Sequence, residues 1–212
     1  FDATVGKLIR MIDQRGMRDN TLFVFVADNG WEPDPARFRK SMNDWDHTSR
    51  SKRSPFESGL RTPVLIQWAG RTKAAKHNAL VNTIDLMPTL LQAAGVVDGP
   101  AGLPGISLWP SAVGEQSLSR ERAVFGEIYP GDASMLGAPE HDLAYRWIRK
   151  GKYKLIVPSP NGKQHPWNRY VENATLFDLV QDPTETNNLI DDPRQSDVVA
   201  TLSKALESWW SP

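Results

Sequence analysis

Val5, Leu8, Ile9 and Ile12 recur at helical spacing, Lys7, Arg10 and Asp13 fall between them, and Gly16 follows. That pattern predicts an amphipathic helix over 2–15 with a glycine stop. After Asp19-Asn20, residues 22–27 (LFVFVA) are an unbroken apolar run of strand length, and 63–68 (PVLIQW), closed by Gly70, is a second. Continuous apolarity predicts strands buried on both faces, as in a parallel sheet covered by helices. Asp85 is placed to cap a helix running to Ala94, with Pro88 in its first turn and Gly95 ending it. Helix, strand, long loop, strand, helix implies α/β layering over 1–110.

From 99 to 119 the chain turns to Gly, Pro and Ser, which marks a boundary. Beyond it, short apolar runs predict strands at 123–129, 143–149, 153–157 and 175–179, with Lys150-Gly151 as a hairpin turn. Val199, Leu202, Leu206 and Trp209 then predict a helix within 196–210. Residues 120–212 therefore read as a small α+β unit, an antiparallel sheet covered by a C-terminal helix.

Composition narrows the function classes. Lys+Arg and Asp+Glu both number 25, so the chain has no net charge to draw it to nucleic acid or an anionic membrane. No apolar run approaches the ~20 residues of a membrane span. The chain contains no cysteine, which removes disulfides, thiolate metal sites and Cys nucleophiles. It opens on Phe1-Asp2, which reads as a cut end.

Two stretches carry candidate chemistry. Asp28-Asn29-Gly30 stands where the first buried strand stops, and open α/β sheets bind ligands outside the carboxyl ends of their strands. A carboxylate and an amide oxygen suit a hard cation such as Ca²⁺ or Mg²⁺, although Ca²⁺ takes about 6–8 oxygens, so other groups must complete the shell. The tripeptide is equally ordinary turn chemistry. The long polar loop over 31–55 leads into SKRSPFESGLRTP, whose cations are suited to an oxyanion. A solvated basic loop with a Glu57–Arg61 ion pair is the alternative. His47, five positions before Lys52, is placed to line the same pocket or to protonate a leaving group. Trp31 and Trp45 are candidates for an apolar pocket wall, and His77, His141 and His165 read as surface or hydrogen-bonding residues. Asn173-Ala174-Thr175 matches a glycosylation acceptor.

TLFVFVADNGW, SKRSPFESGLRTPVLIQWAG and NTIDLMPTLLQAAGV, in this order, with GISLWP, GKYKLI and LFDLVQDPTETNNLIDDP behind them, resemble the C-terminal half of the sulfatases, in the alkaline-phosphatase-like superfamily. The resemblance covers essentially the whole chain. It implies the C-terminal half of a mixed-sheet α/β domain (1–110) followed by the α+β subdomain (120–212), and a sulfuric ester hydrolase acting on a small-molecule or carbohydrate sulfate. It implies one Ca²⁺ ion held in part by Asp28 and Asn29, and Lys52 as the catalytic residue that contacts the sulfate. Arg61 reads as structural, tying Glu57 or the loop. Export to the periplasm or outside the cell is the family's usual location. A phosphate or phosphonate ester hydrolase of the same superfamily, and a non-catalytic fragment, are the rival readings.

The departure from the family pattern is equally specific. Its nucleophile is a formylglycine made from the Cys or Ser of C/S-x-P-S-R, and no such motif occurs here. The family's Asp-Asp metal pair and catalytic His residues belong to the N-terminal half, the partner this chain would need. Asp191-Asp192 is expected to be an exposed turn and not that pair. The chain is accordingly expected to be inactive alone.

Overall fold

A computed structural model of the chain describes residues 1–30, 50–52, 54–96, 99–129, 132–160 and 170–210. In chain order the elements are α1 (Asp2–Gln14), β1 (Leu22–Val26), α2 (Glu57–Leu60), β2 (Val64–Trp68), α3 (Leu86–Ala93), α4 (Trp109–Ala112), β3 (Ala123–Ile128), β4 (Tyr145–Lys150), β5 (Tyr153–Pro158), β6 (Thr175–Asp178) and α5 (Ser196–Trp209). They fall into two compact units, one of residues 1–27 and 63–120, the other of 28–62 and 121–212. The units are not consecutive segments of chain, because 28–62 groups with the later residues.

In the first unit α1 runs as its apolar spacing requires and stops at Gly16, whose φ of 66° suits a residue without a Cβ. The strands β1 and β2 correct the expectation of parallel, doubly buried strands. They pair with each other antiparallel, Leu22 opposite Trp68 and Val26 opposite Val64. Every residue of β1 is half-buried, and Leu65 in β2 is 60% exposed. Among the described residues this sheet has two strands, and Phe25 of β1 meets Phe1 with ring centres 5.6 Å apart. Asp85 stands at the N-cap position of α3, but its side chain makes no cap hydrogen bond to that helix. Its fully buried carboxylate accepts the N–H of Asn82 (2.8 Å) and of Ile106 (2.9 Å). Thr89 continues the link, donating to the Asp85 carbonyl (2.5 Å) and accepting from Leu108 N–H (2.8 Å).

The second unit is built on one antiparallel sheet, β3-β4-β5-β6. A tight turn at Gly151 (φ 55°) joins β4 to β5. Strand alternation sorts its side chains between two faces. Ile148, Leu155 and Leu176 meet Leu202 and Leu206 of α5 on one face. Arg146, of the same parity as Ile148, hydrogen-bonds Glu207 (2.7 Å) and the Trp210 carbonyl on that side, while Phe125 stacks on Trp209 at 5.2 Å. Tyr145, Ile156 and Phe177 point the other way and enclose Phe56, which comes from the loop ahead of α2. The sheet thus carries a helix on one side and the 50–60 loop on the other. Asp191 is an exposed turn residue, whereas Asp192 is half-buried and accepts from Arg194 N–H (3.0 Å).

Candidate functional site

The expected site residues that the structure describes, Asp28, Asn29 and Lys52, all lie in the second unit. The chain leaves β1 at Val26, and Asp28 follows with an exposed side chain while Asn29 is half-buried. The Asn29 side-chain amide donates to the Gly30 carbonyl, which fixes the plane of that amide. Gly30 N–H donates to the Gly59 carbonyl at 2.9 Å. That approach needs glycine, because a Cβ on Gly30 would sit 2.0 Å from the Ser58 carbonyl oxygen.

Gly59 is packed the same way on its other side. A Cβ there would lie 2.1 Å from the Ser51 carbonyl oxygen and 2.9 Å from Ser54 Oγ. Three stretches of backbone, 28–30, 58–59 and 51–54, are therefore in contact in that order. The middle stretch belongs to α2, and Ser54 N–H closes a turn on the Ser51 carbonyl (2.9 Å). Ser51 and Ser54 are fully buried, and Lys52 is exposed on the turn between them. A carboxylate, an amide and an ammonium thus stand on backbone segments joined through one glycine.

Beneath this turn lies an ionic cluster that sequence reasoning missed. Glu57 Oε1 is 3.2 Å from Lys154 Nζ, and its other oxygen pairs with Arg149. The expected partner, Arg61, is not the one found: the loop turns Glu57 down onto the sheet. Lys154 Nζ is also 3.0 Å from Glu185 Oε1, and Glu185 Oε2 accepts the N–H of Glu57 at 2.6 Å. Lys154 is 0% and Glu185 2% exposed. Burial pushes the Glu185 carboxyl above its ordinary range, against the opposing pull of Lys154. Arg50 ties the start of the turn by donating to the carbonyls of Thr184 (2.8 Å) and Glu185, and its guanidinium lies 4.7 Å from the centre of the Phe56 ring. The signal in the sequence was Lys154, a lone cation inside the apolar strand YKLIV.

His47, Trp31, Trp45 and His165 lie outside the described residues. His141 ends an exposed turn at 139–141, and His77 approaches Ser111 Oγ at 3.5 Å. Among the described residues no three metal-ligating His, Cys, Asp or Glu side chains come together. Asp28 and Asn29 carry oxygen donors of the kind Ca²⁺ takes, and two side chains are too few for its shell of about 6–8 oxygens.

Comparison with known proteins decides the family. The profile described as "N-sulphoglucosamine sulphohydrolase, C-terminal" matches residues 46–211. The chain belongs to the sulfatase family. Bovine (Bos taurus) arylsulfatase A is 31% identical over 203 residues, covering 90% of this sulfatase chain and 38% of that protein. Among solved structures, one in complex with its substrate D-glucosamine-2-N,6-O-disulfate superposes with a TM-score of 0.73 at 23% identity, covering 98% of this chain and 37% of that one. A phosphonate monoester hydrolase from Silicibacter pomeroyi gives 0.69 at 23%, covering 98% and 38%. The chain spans about two fifths of the length of such relatives. Its fold is that of the C-terminal portion of a sulfatase: α/β elements followed by an antiparallel sheet and a C-terminal helix.

Proposed function

We propose that this chain supplies the sulfate- and cation-binding part of a sulfuric ester hydrolase whose nucleophile and remaining ligands lie on polypeptide outside it. The supporting observation is the contact of 28–30 and 51–54 with the two sides of Gly59. It places two hard-oxygen donors and an exposed ammonium on one framework.

Asp28 and Asn29 would hold a Ca²⁺ ion, which when bound supplies positive charge toward sulfate oxygens. Lys52 contributes a strongly hydrated point charge on a flexible stem. Held beside the transferred group, its ammonium offsets the negative charge that builds as the S–O bond breaks. The Asn29 amide, fixed through the Gly30 carbonyl, presents its oxygen without reorganising. His47 belongs to the same proposal as a pocket-lining residue and proton donor. The substrate class is a small or carbohydrate sulfate ester, export is part of the same reading, and the chain alone is inactive because it lacks the nucleophile.

The test is Lys52→Ala in the sulfatase polypeptide that carries this chain. Its kcat/KM for an aryl sulfate falls by about 10²–10³, the usual loss of one group aimed at developing charge. Unchanged turnover, or turnover by the 212-residue chain alone, refutes the proposal. The superposition on a phosphonate monoester hydrolase supplies the competing outcome, faster hydrolysis of an aryl phosphonate than of the sulfate.

A further inference from the structure

Two residues other than glycine have a positive φ among the described residues, Arg50 at 64° and Glu185 at 56°. Such backbone persists when surrounding contacts over-determine it. Here the two touch each other, since the Arg50 guanidinium donates to the carbonyls of Thr184 and Glu185. The Glu185 side chain turns the opposite way, accepts Glu57 N–H at 2.6 Å and pairs with buried Lys154 at 3.0 Å. The 184–185 segment therefore grips the 50–57 turn at both ends. Arg50 is held at the start and Glu57 at the finish, and Lys52 stands exposed between them. Phe56 fills the sheet face beneath, ringed by Tyr145, Ile156 and Phe177.

We propose that Glu185, with Arg50, is a positioning residue: it fixes the turn so that the Lys52 ammonium is presented to the sulfate oxygens without a search through loop conformations. This rests on the sulfate-binding role of Lys52 given above. Glu185 is buried and cannot reach substrate, so its effect passes through the turn. A looser turn misplaces the ammonium, and a misplacement of ~1 Å is enough to lose about a hundredfold in rate.

The experiment is a double-mutant cycle on kcat/KM for an aryl sulfate, in the sulfatase polypeptide carrying this chain, with Lys52→Ala, Glu185→Gln and the pair. Glu185→Gln keeps an acceptor for Glu57 N–H and removes the charge facing Lys154. Arg50→Met, which keeps the apolar stem over Phe56 and removes the carbonyl clamp, is run beside it in case the buried substitution fails to fold. Each single change at 185 or 50 is expected to lower kcat/KM about tenfold to hundredfold. In the Lys52→Ala background the same change is expected to alter it by less than about twofold, because the group being positioned is gone. Equal factors in both backgrounds overturn the positioning role and leave Glu185 a general support of the fold. If Lys52→Ala itself changes nothing, the sulfate-binding reading fails instead, and the two failures are distinguished.

Discussion

Lys154→Met probes the buried cluster through its dependence on pH. The substitution removes the cation that Glu57 and Glu185 share while keeping most of its volume. Glu57 retains Arg149, so the loss falls on Glu185, which keeps the Glu57 N–H as a neutral donor. Burial already raises the Glu185 carboxyl above its ordinary 4.5, and Lys154 opposes that rise. Losing an opposite charge at this range lifts a carboxyl pKa by about 1 to 3. At ~1.4 kcal/mol per pH unit, this contributes about 1.4–4 kcal/mol of added instability once the pH exceeds both folded values. A raised folded pKa means the folded state binds the extra proton, so the contribution to stability is intact below 4.5 and is lost as pH rises through the folded value. Urea unfolding of variant and wild type at pH 5 and pH 8 measures it. The difference is expected to be smaller at pH 5 and to grow by about 1.4–4 kcal/mol as pH rises and the unpaired Glu185 carboxylate has to be buried charged. Adding Glu185→Gln is expected to abolish the growth with pH. A difference that is flat from pH 5 to 8, or larger at pH 5, refutes the assignment of that cost to Glu185.

Gly59→Ala is expected to destabilise the protein by about 1–3 kcal/mol, since the new Cβ would meet the Ser51 carbonyl at 2.1 Å and backbone has to move. Under the proposed function inorganic sulfate is expected to raise the thermal midpoint of the wild type and to raise that of Gly59→Ala less, because the movement separates 28–30 from 51–54; equal protection would show that the glycine contact does not organise the site. Asp182 serves as an acid-side probe. Burial alone would raise its carboxyl, but Asn187 N–H (2.7 Å) and the hydroxyls of Thr186 and Thr184 (3.1 Å each) hold it below the ordinary 3.8. Its contribution is present above 3.8 and lost as pH falls through the lower folded value, so Asp182→Ala is expected to cost about 1 kcal/mol at pH 6 and to converge on wild type in acid, as read by urea midpoints. A cost that is constant from pH 6 to pH 2 would contradict this.

Hydrophobic period made α5 and the four strands of the second unit legible, because those elements bury one face against partners within the chain; it also located α1, whose apolar residues are half-buried or exposed. The same pattern misread β1 and β2. LFVFV is as apolar as a strand with neighbours on both faces, but an apolar run records the burial a strand is suited to, and here its five residues are half-buried and paired with one antiparallel strand. Asp28, Asn29 and Lys52 were legible as motif residues. What joins them was not, since the contacts through Gly30 and Gly59 depend on carbonyl positions that no side-chain pattern encodes. A Glu57–Arg61 ion pair was the expectation for a solvated basic loop. The observed α2 is a single turn, and the strand register brings Arg149 and Lys154 to Glu57 across some ninety residues of sequence.

That register explains why the cluster is ionic. Arg149 and Lys154 are direct cross-strand partners on one face of the sheet, a pairing of like charges that is unfavourable by itself. A hydrophobic pair there would pack against many loops. Buried Lys154 beside half-buried Arg149 accepts only a segment that brings carboxylates to both, and Glu57 does so by reaching Arg149 with one oxygen and Lys154 with the other. Glu185 supplies the second carboxylate to Lys154 and binds the Glu57 backbone, so displacing the turn by one residue would strand two cations and an anion together. The cluster therefore selects the register of the turn more than it adds stability, and the residue whose place depends on that register is Lys52.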